Sequence, residues 1–217
     1  WDLCGNAQWA AVAIWCLMNG YQPLGNTNNG QSHVETWQSG IRIDSGIPGD
    51  SSGTASILSG SGPLTWRHNG NDLGVADLVG NVFEWQDGLK INEGQLIIAT
   101  EQQQGESSWV SQAAFLDLGN KLNSSKTASA RTSNTWSSTG KDVSYVDSQL
   151  LQQMLIEPIT GTNSALGSLY YNNDGERFPR RGGDWGYGES AGLGALYLYN
   201  SRPGASSGVG FRPCYFS

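Results

Sequence analysis

The sequence predicts an α+β fold, rich in loops, with one N-terminal helix followed by short antiparallel strands. Three observations carry this. Trp9, Val12, Ala13, Cys16 and Leu17 recur on one face at helical spacing. Ala195-Leu196-Tyr197-Leu198-Tyr199 alternates with the period of a strand. The 217 residues include 30 Gly, about twice the usual share of roughly 7%, and many lie in stretches with neither period.

The elements follow in order. Asn6 reads as the N-cap of the helix, and Asn19-Gly20 closes it with Pro23 just beyond. From Gln22 to about Ser61 the chain holds Asn28-Asn29-Gly30, Gly46-Ile47-Pro48-Gly49 and Ser51-Ser52-Gly53, turn signals without periodicity. Val82–Ala99 reads as a hairpin: Val82, Phe83, Trp85, Leu89 and Ile91 lead in, Asn92-Glu93-Gly94 turns, and Leu96, Ile97 and Ile98 return. From Glu101 to Gln149 the chain is polar and Ser/Thr/Gly-rich, and it yields no assigned element. Leu150–Ile156 fits a short helix or a buried strand equally well. The last forty or so residues read as short strands between glycines, with Leu196 and Leu198 on one side and Tyr197 and Tyr199 on the other. No internal repeat or linker divides residues 1–217, which read as a single domain.

Composition excludes several function classes. Nine Trp and only 14% charged residues argue against a disordered tail. A net charge of −7 supplies no basic stripe for nucleic acid. The longest apolar run, Trp9–Met18, falls short of the ~20 residues of a membrane span. Cys4, Cys16 and Cys214 form no disulfide framework and read as small buried hydrophobes, with a bridge between Cys4 and Cys214 left open. The chain begins at Trp1 without Met or a signal peptide, and reads as part of a longer protein.

Two segments carry a family resemblance. Gly74-Val-Ala-Asp-Leu-Val-Gly-Asn-Val-Phe-Glu-Trp85 resembles the G-x-x-D-x-x-G-N-V-W-E-W signature of formylglycine-generating-enzyme (sulfatase-modifying-factor) domains. Arg181-Gly-Gly-Asp-Trp185 and Gly210-Phe-Arg212 resemble the RGG-x-W and GFR of the same superfamily's ending. More narrowly, Asn173-Asp-Gly-Glu-Arg177 and the stretch Arg181–Pro213 resemble the variable proteins of diversity-generating retroelements of phage and gut bacteria. The Trp9–Trp15 helix and Gly62-Pro-Leu-Thr-Trp66 resemble phage members of that group.

The resemblance implies a C-type lectin-like fold with a variable ligand-binding region at residues 181–213. In that group, adenine-directed mutagenesis rewrites Asn-type codons. The corresponding slots are Asp184, Gly186, Tyr187, Ser190, Tyr197, Tyr199, Asn200, Gly204, Ser206, Ser207 and Gly208. The tyrosines alone could decorate a sheet face or pack under a loop. The resemblance turns them outward, in the Tyr, Ser, Gly and Asn mixture that suits an adaptable paratope. It casts Arg181, Trp185, Phe211 and Arg212 as a frame of buried aromatics and satisfied arginines. It also implies structural calcium held by Asp77, the Gly80 carbonyl, Asn81 and Glu84; the plain alternative has Asn81 capping a turn and Glu84 paired with an arginine.

The expected function is therefore non-catalytic binding of a protein or glycan on a target cell, with no required cofactor. The setting is a phage tail-fibre tip or a bacterial surface, and several displayed copies would raise avidity. An oxidase of the sulfatase-modifying-factor class is the first rival, but Gly194–Val209 lacks the expected cysteine and only His33 and His68 could serve an iron site. A calcium-dependent carbohydrate-binding lectin is the second, without the usual Glu-Pro-Asn or Gln-Pro-Asp tripeptide.

Overall fold

A computed structural model describes residues 1–101, 103–159, 165–202 and 204–215. Residue 203 of the expected variable region therefore lies outside the described residues. The chain opens with strand β1 (Asp2–Leu3) and helix α1 (Asn6–Met18). Strands β2 (Phe83–Trp85), β3 (Leu89–Asn92), β4 (Gln95–Ile98), β5 (Val110–Asp117), β6 (Lys121–Asn123), β7 (Arg131–Thr135) and β8 (Gly140–Lys141) follow. Helix α2 (Gln149–Gln153) then precedes β9 (Ser168–Asn172), β10 (Glu176–Arg177), β11 (Arg180–Gly182), β12 (Gly192–Leu198), β13 (Val209–Phe211) and β14 (Pro213–Cys214). This is a mixed α+β architecture dominated by sheet.

Among the described residues the strands form a β1–β14 ribbon and two six-stranded sheets. One sheet runs β10-β3-β4-β5-β6-β8, and the other β13-β2-β11-β12-β9-β7. Most neighbours are antiparallel, but β2 with β13, β9 with β12 and β6 with β8 are parallel. A shared core joins the sheets to α1: Trp9, Ala13 and Cys16 from the helix, Ile91, Leu96 and Leu116 from the first sheet, Leu169, Tyr171, Leu196 and Leu198 from the second. Each of these is at most 3% exposed, so the two sheets pack as layers over one apolar interior.

The helix forms where expected and ends in a Schellman motif, with Tyr21 N–H donating to Cys16 O at 2.9 Å and Gly20 N–H to Leu17 O at 3.1 Å. Its start differs. Gly5 is the N-cap, and no side chain caps the first turn. Asn6 is instead fully buried: it donates to Met154 O at 2.9 Å and accepts from Arg181 Nε at 2.8 Å. A long-range partner has taken the side chain that a local cap would have used.

The expected hairpin is narrower than its sequence span. Asn92 pairs with Gln95 across Glu93 and Gly94, both at positive φ (47° and 79°), the two-residue geometry that suits twisted strands. Phe83–Trp85 leaves this hairpin and enters the other sheet, where it pairs with β11 and β13. Leu150–Ile156 resolves as α2 and its following turn. The polar stretch between Glu101 and Gln149 supplies β5 to β8, including the longest strand, Val110–Asp117. The segment before Ser61 is irregular, as expected. The Arg42 guanidinium, 5% exposed, organises it by donating to the carbonyls of Asn29, Ile47, Asp50 and Ser52 and to Asp44.

Asp117, at the end of β5, ties the first sheet to the chain before β7. Its carboxylate accepts from Thr127 N–H at 2.9 Å, Thr127 Oγ1 at 2.6 Å and Asn123 Nδ2 at 2.9 Å. Burial pushes its pKa up, but these hydrogen bonds outweigh burial and hold the carboxyl below the usual range. A depressed folded pKa means stability that is complete above the unfolded value, about 3.9, and lost as pH falls through it toward the folded value. Asp117→Asn is expected to cost about 1–3 kcal/mol at pH 7 and to flatten the loss of stability below about pH 4, measured by urea unfolding across pH.

Candidate functional site

The second sheet has two unlike faces, set by strict alternation along its strands. On β12, Leu196 and Leu198 enter the core, while Tyr197 turns to the other face with Tyr199 just beyond. On β9, Leu169 and Tyr171 are buried, and Tyr170 turns outward beside Tyr197, its register partner. On β2, Phe83 reaches the same cluster. Ring centroids lie 4.7 Å apart for Phe83 and Tyr187, 5.1 Å for Phe83 and Tyr197, 4.8 Å for Tyr170 and Tyr197, and 5.1 Å for the stacked pair Tyr170 and Tyr199. Edge and offset contacts at these distances are favourable for aromatic rings.

The result is a half-buried aromatic layer rather than isolated side chains. Tyr187 is 37% exposed, and Tyr197 and Tyr199 are intermediate. A cavity of about 270 Å³ opens among Phe83, Ser133, Tyr170, Tyr187, Ser190 and Tyr197. Burial pushes the Tyr187 and Tyr197 hydroxyls above their ordinary pKa, so both keep their protons near neutrality and can donate as well as accept. Two arginines border the layer. Arg131 stands over the Tyr199 ring at 5.3 Å and donates to its hydroxyl at 3.1 Å. Arg180 lies over Trp85 at 4.1 Å, and its buried Nε has no partner among the described residues.

The expected slots divide by environment. Gly186, Tyr187, Ser206 and Ser207 are exposed, while Asp184, Ser190, Tyr197, Tyr199, Asn200 and Gly204 are intermediate. Gly208 is buried, and its carbonyl accepts from Phe83 N–H at 2.8 Å. A Cβ at Gly208 would meet Asp184 Oδ2 at 2.9 Å, and one at Gly204 would meet Arg180 Nη2 at 2.4 Å. Phe83, Ser133, Tyr170, Arg131 and Arg180 come from outside the slots. Tyr170 was legible in principle, because Ser168-Leu-Tyr-Tyr-Asn172 alternates much as Ala195–Tyr199 does.

The expected frame is realised at its two arginines and not at its two aromatics, Trp185 and Phe211. Arg181 is fully buried and donates to Asn6 Oδ1, Met154 O and Leu155 O. Gly182 and Gly183, both at φ 87°, let the chain pass close to Trp9 and Ala191, where a Cβ would sit 3.2 and 2.6 Å from side-chain carbons. Arg212 pairs with Glu84 at 2.7 Å and donates to Ala76 O. Trp185 is intermediate rather than buried. Phe211 is a correction: it is 69% exposed, because β13 is an edge strand and Phe211 projects beyond the core on the face shared with Trp85.

Of the four residues expected to hold calcium, the side chains of Asp77, Asn81 and Glu84 already accept from protein donors, while Asp77 Oδ1 is buried with no partner among the described residues. Both Glu84 oxygens accept from Arg212, whose guanidinium sits where a dication would be repelled. Asn81 Oδ1 accepts from Ile57 N–H at 2.7 Å, and Gly60 N–H occupies Asp77 Oδ2. Among the described residues, no group of three or more His, Cys, Asp and Glu could hold a metal ion. His33 contacts Thr27 Oγ1, and His68 Nδ1 accepts from Val75 N–H, so each histidine is used within its own loop region. Cys4, Cys16 and Cys214 are free thiols. Among the described residues, no helix is long and apolar enough to cross a membrane. No protein-family model matches the chain, and no curated protein matches it.

The slots are therefore expected to differ in tolerance. Ser206→Ala and Ser207→Ala should change stability by no more than about 0.5 kcal/mol. Gly204→Ala and Gly208→Ala should each cost about 1–2 kcal/mol, because Arg180 and Asp184 must give way. Thermal melts of the four variants check this.

Proposed function

We propose that this chain is a non-catalytic binding protein of C-type lectin-like fold, a variable protein of the diversity-generating-retroelement type. Its binding face is the tyrosine layer with the exposed slots around it, Gly186, Tyr187, Ser206 and Ser207. The ligand is a protein or glycan on a target cell, met from a phage tip or a bacterial surface.

The observation that carries this reading is the division of one sheet into two chemistries. Leu196, Leu198, Leu169 and Tyr171 fix the fold from beneath, and Tyr170, Tyr197 and Tyr199 stand above them without being needed in the core. Tyrosine suits the exposed side because it offers large area with few rotamers to freeze and a hydroxyl that can bond either way. Thiol chemistry has little support. Burial pushes the Cys16 thiol up to about 11 and raises Cys4 as well, whereas a reactive cysteine needs a stabilised thiolate.

The test is cell binding by the full chain and by a variant with Tyr187, Tyr197 and Tyr199 changed to Ala, on a panel of bacterial strains. The variant is expected to lose binding to every strain that the parent binds, and to remain folded at a cost of about 1–3 kcal/mol, since half-buried rings cost less than core rings. Unchanged binding would overturn the assignment of the face. Neighbouring DNA tests the retroelement part: a near-copy of the codons for Arg181–Pro213, differing at adenines, should lie beside a reverse transcriptase gene.

A further inference from the structure

A second cavity, of about 280 Å³, opens on the same side of the same sheet as the tyrosine layer, at the edge formed by β13. Its walls are aromatic: Trp85 from β2, Trp109 just before β5, Phe178 after β10, and the exposed Phe211 from β13. Asp87, Gln86 and Arg202 supply the polar groups. None of these residues is among the slots. Two of the slots bond to residues near this cavity, Phe178 N–H donating to Asn200 O and Arg180 to Gly204 O.

We infer that this cavity is a binding site for a neutral sugar ring, stacked on the aromatic walls and donating a hydroxyl to Asp87. The polar inventory selects this ligand class. Gln86 is 3% exposed, and its Oε1 is buried with no partner among the described residues. Asp87 takes part in no ion pair among the described residues, and burial raises its pKa. Gln86 Oε1 has no accessible surface, so Asp87 is the acceptor a ligand can reach; it takes the Gly88 N–H, and a purely apolar side chain would cover its other lone pairs without supplying donors.

A cationic ligand is disfavoured because cations already stand at two of the four aromatic walls. Arg180 lies 4.1 Å over Trp85, and Arg202, which also pairs with Glu106, lies 4.1 Å over Phe178. A further positive charge would be repelled by Arg202, which lines the cavity. An anion would be repelled by Asp87. A neutral polyol ring meets these requirements, with apolar C–H faces for Trp109 and Phe211 and an O–H donor for Asp87. The volume falls at the lower end of small-molecule sites, which run from roughly 300 Å³ upward, and so suits one or two rings. The Trp109 wall is fixed in place, since its Nε1–H donates to Gln104 O at 2.9 Å.

Saturation-transfer difference NMR on the full chain tests the inference, with the methyl glycosides of glucose, galactose and mannose as probes at concentrations on the order of 10 mM, suited to a millimolar Kd. Saturation transfer to at least one of the three is expected. Trp109→Ala and Asp87→Asn should each weaken it at least about fivefold, as for a central contact. Phe211→Ser removes an exposed wall without touching the core and should weaken it as well. Tyr197→Ser with Tyr199→Ser should leave it intact, which separates this site from the tyrosine face. The inference is overturned by no transfer to any probe, by transfer insensitive to Trp109→Ala and Phe211→Ser, or by transfer to tetramethylammonium in place of the sugars.

Discussion

The buried guanidinium of Arg181 is the constraint on which the structure turns. It is fully enclosed and forms no ion pair among the described residues, so carbonyl oxygens must solvate it. Met154 O and Leu155 O, at the end of α2, accept from its Nη2 and Asn6 Oδ1, at the start of α1, from its Nε at 2.8–3.1 Å, while Nη1 is buried with no partner among the described residues. The carbonyl end of a helix carries the negative end of its dipole, which helps to hold the charge. Burial still pulls the Arg181 pKa down to about 9, a sign of how little water reaches it. Both helices and β11 are thereby locked to one another. A buried charge that loses its partners costs several kcal/mol, so any variant that displaces α2 or Asn6 is penalised at Arg181.

This lock frees the opposite side of the sheet. β11 lies between β2 and β12, and once Arg181 fixes it, its neighbour Arg180 points to the other face, under Trp85 and the Gly204 carbonyl. The tyrosines sit on that face over a core that does not depend on them. The face is not uniformly free, however. Gly204 and Gly208 touch Arg180 and Asp184 closely, so tolerance is concentrated at the side chains that project, Tyr187, Ser206 and Ser207 among them. A surface that changes ligand without changing fold needs this separation of roles, and the period-2 geometry of a strand supplies it.

Local signals in the sequence were legible, and distant pairings were not. The α1 stripe, the Asn92–Gly94 turn and the Leu/Tyr alternation of β12 each follow from neighbours within a few residues, and each recurs in the structure. Asn6 was misread because its partner is Arg181, 175 positions away. Phe83–Trp85 was assigned to the wrong sheet because it pairs in parallel with Val209–Phe211, a contact no local pattern announces. β5 shows no local signal because Gln112 interrupts the side of Ala114 and Leu116, while Ser111 and Asp117 break the side of Phe115. At the site, the outward tyrosines of β12 were readable, but Phe83, Tyr170 and Arg131 join them only through the sheet order. Phe211 belongs to the frame only through the resemblance of Gly210-Phe-Arg212 to the GFR ending; as a residue of an edge strand it is exposed.

The central claim is that frame and face are energetically separate, and a stability measurement on a face library tests it most directly. Tyr187, Ser190, Tyr197, Tyr199, Ser206 and Ser207 would be randomised together in a displayed library, and the fraction surviving protease challenge counted. The account predicts that most members stay folded, with stability losses of no more than about 1–3 kcal/mol. A library in which most members unfold would contradict it, and would show that the tyrosine layer belongs to the core.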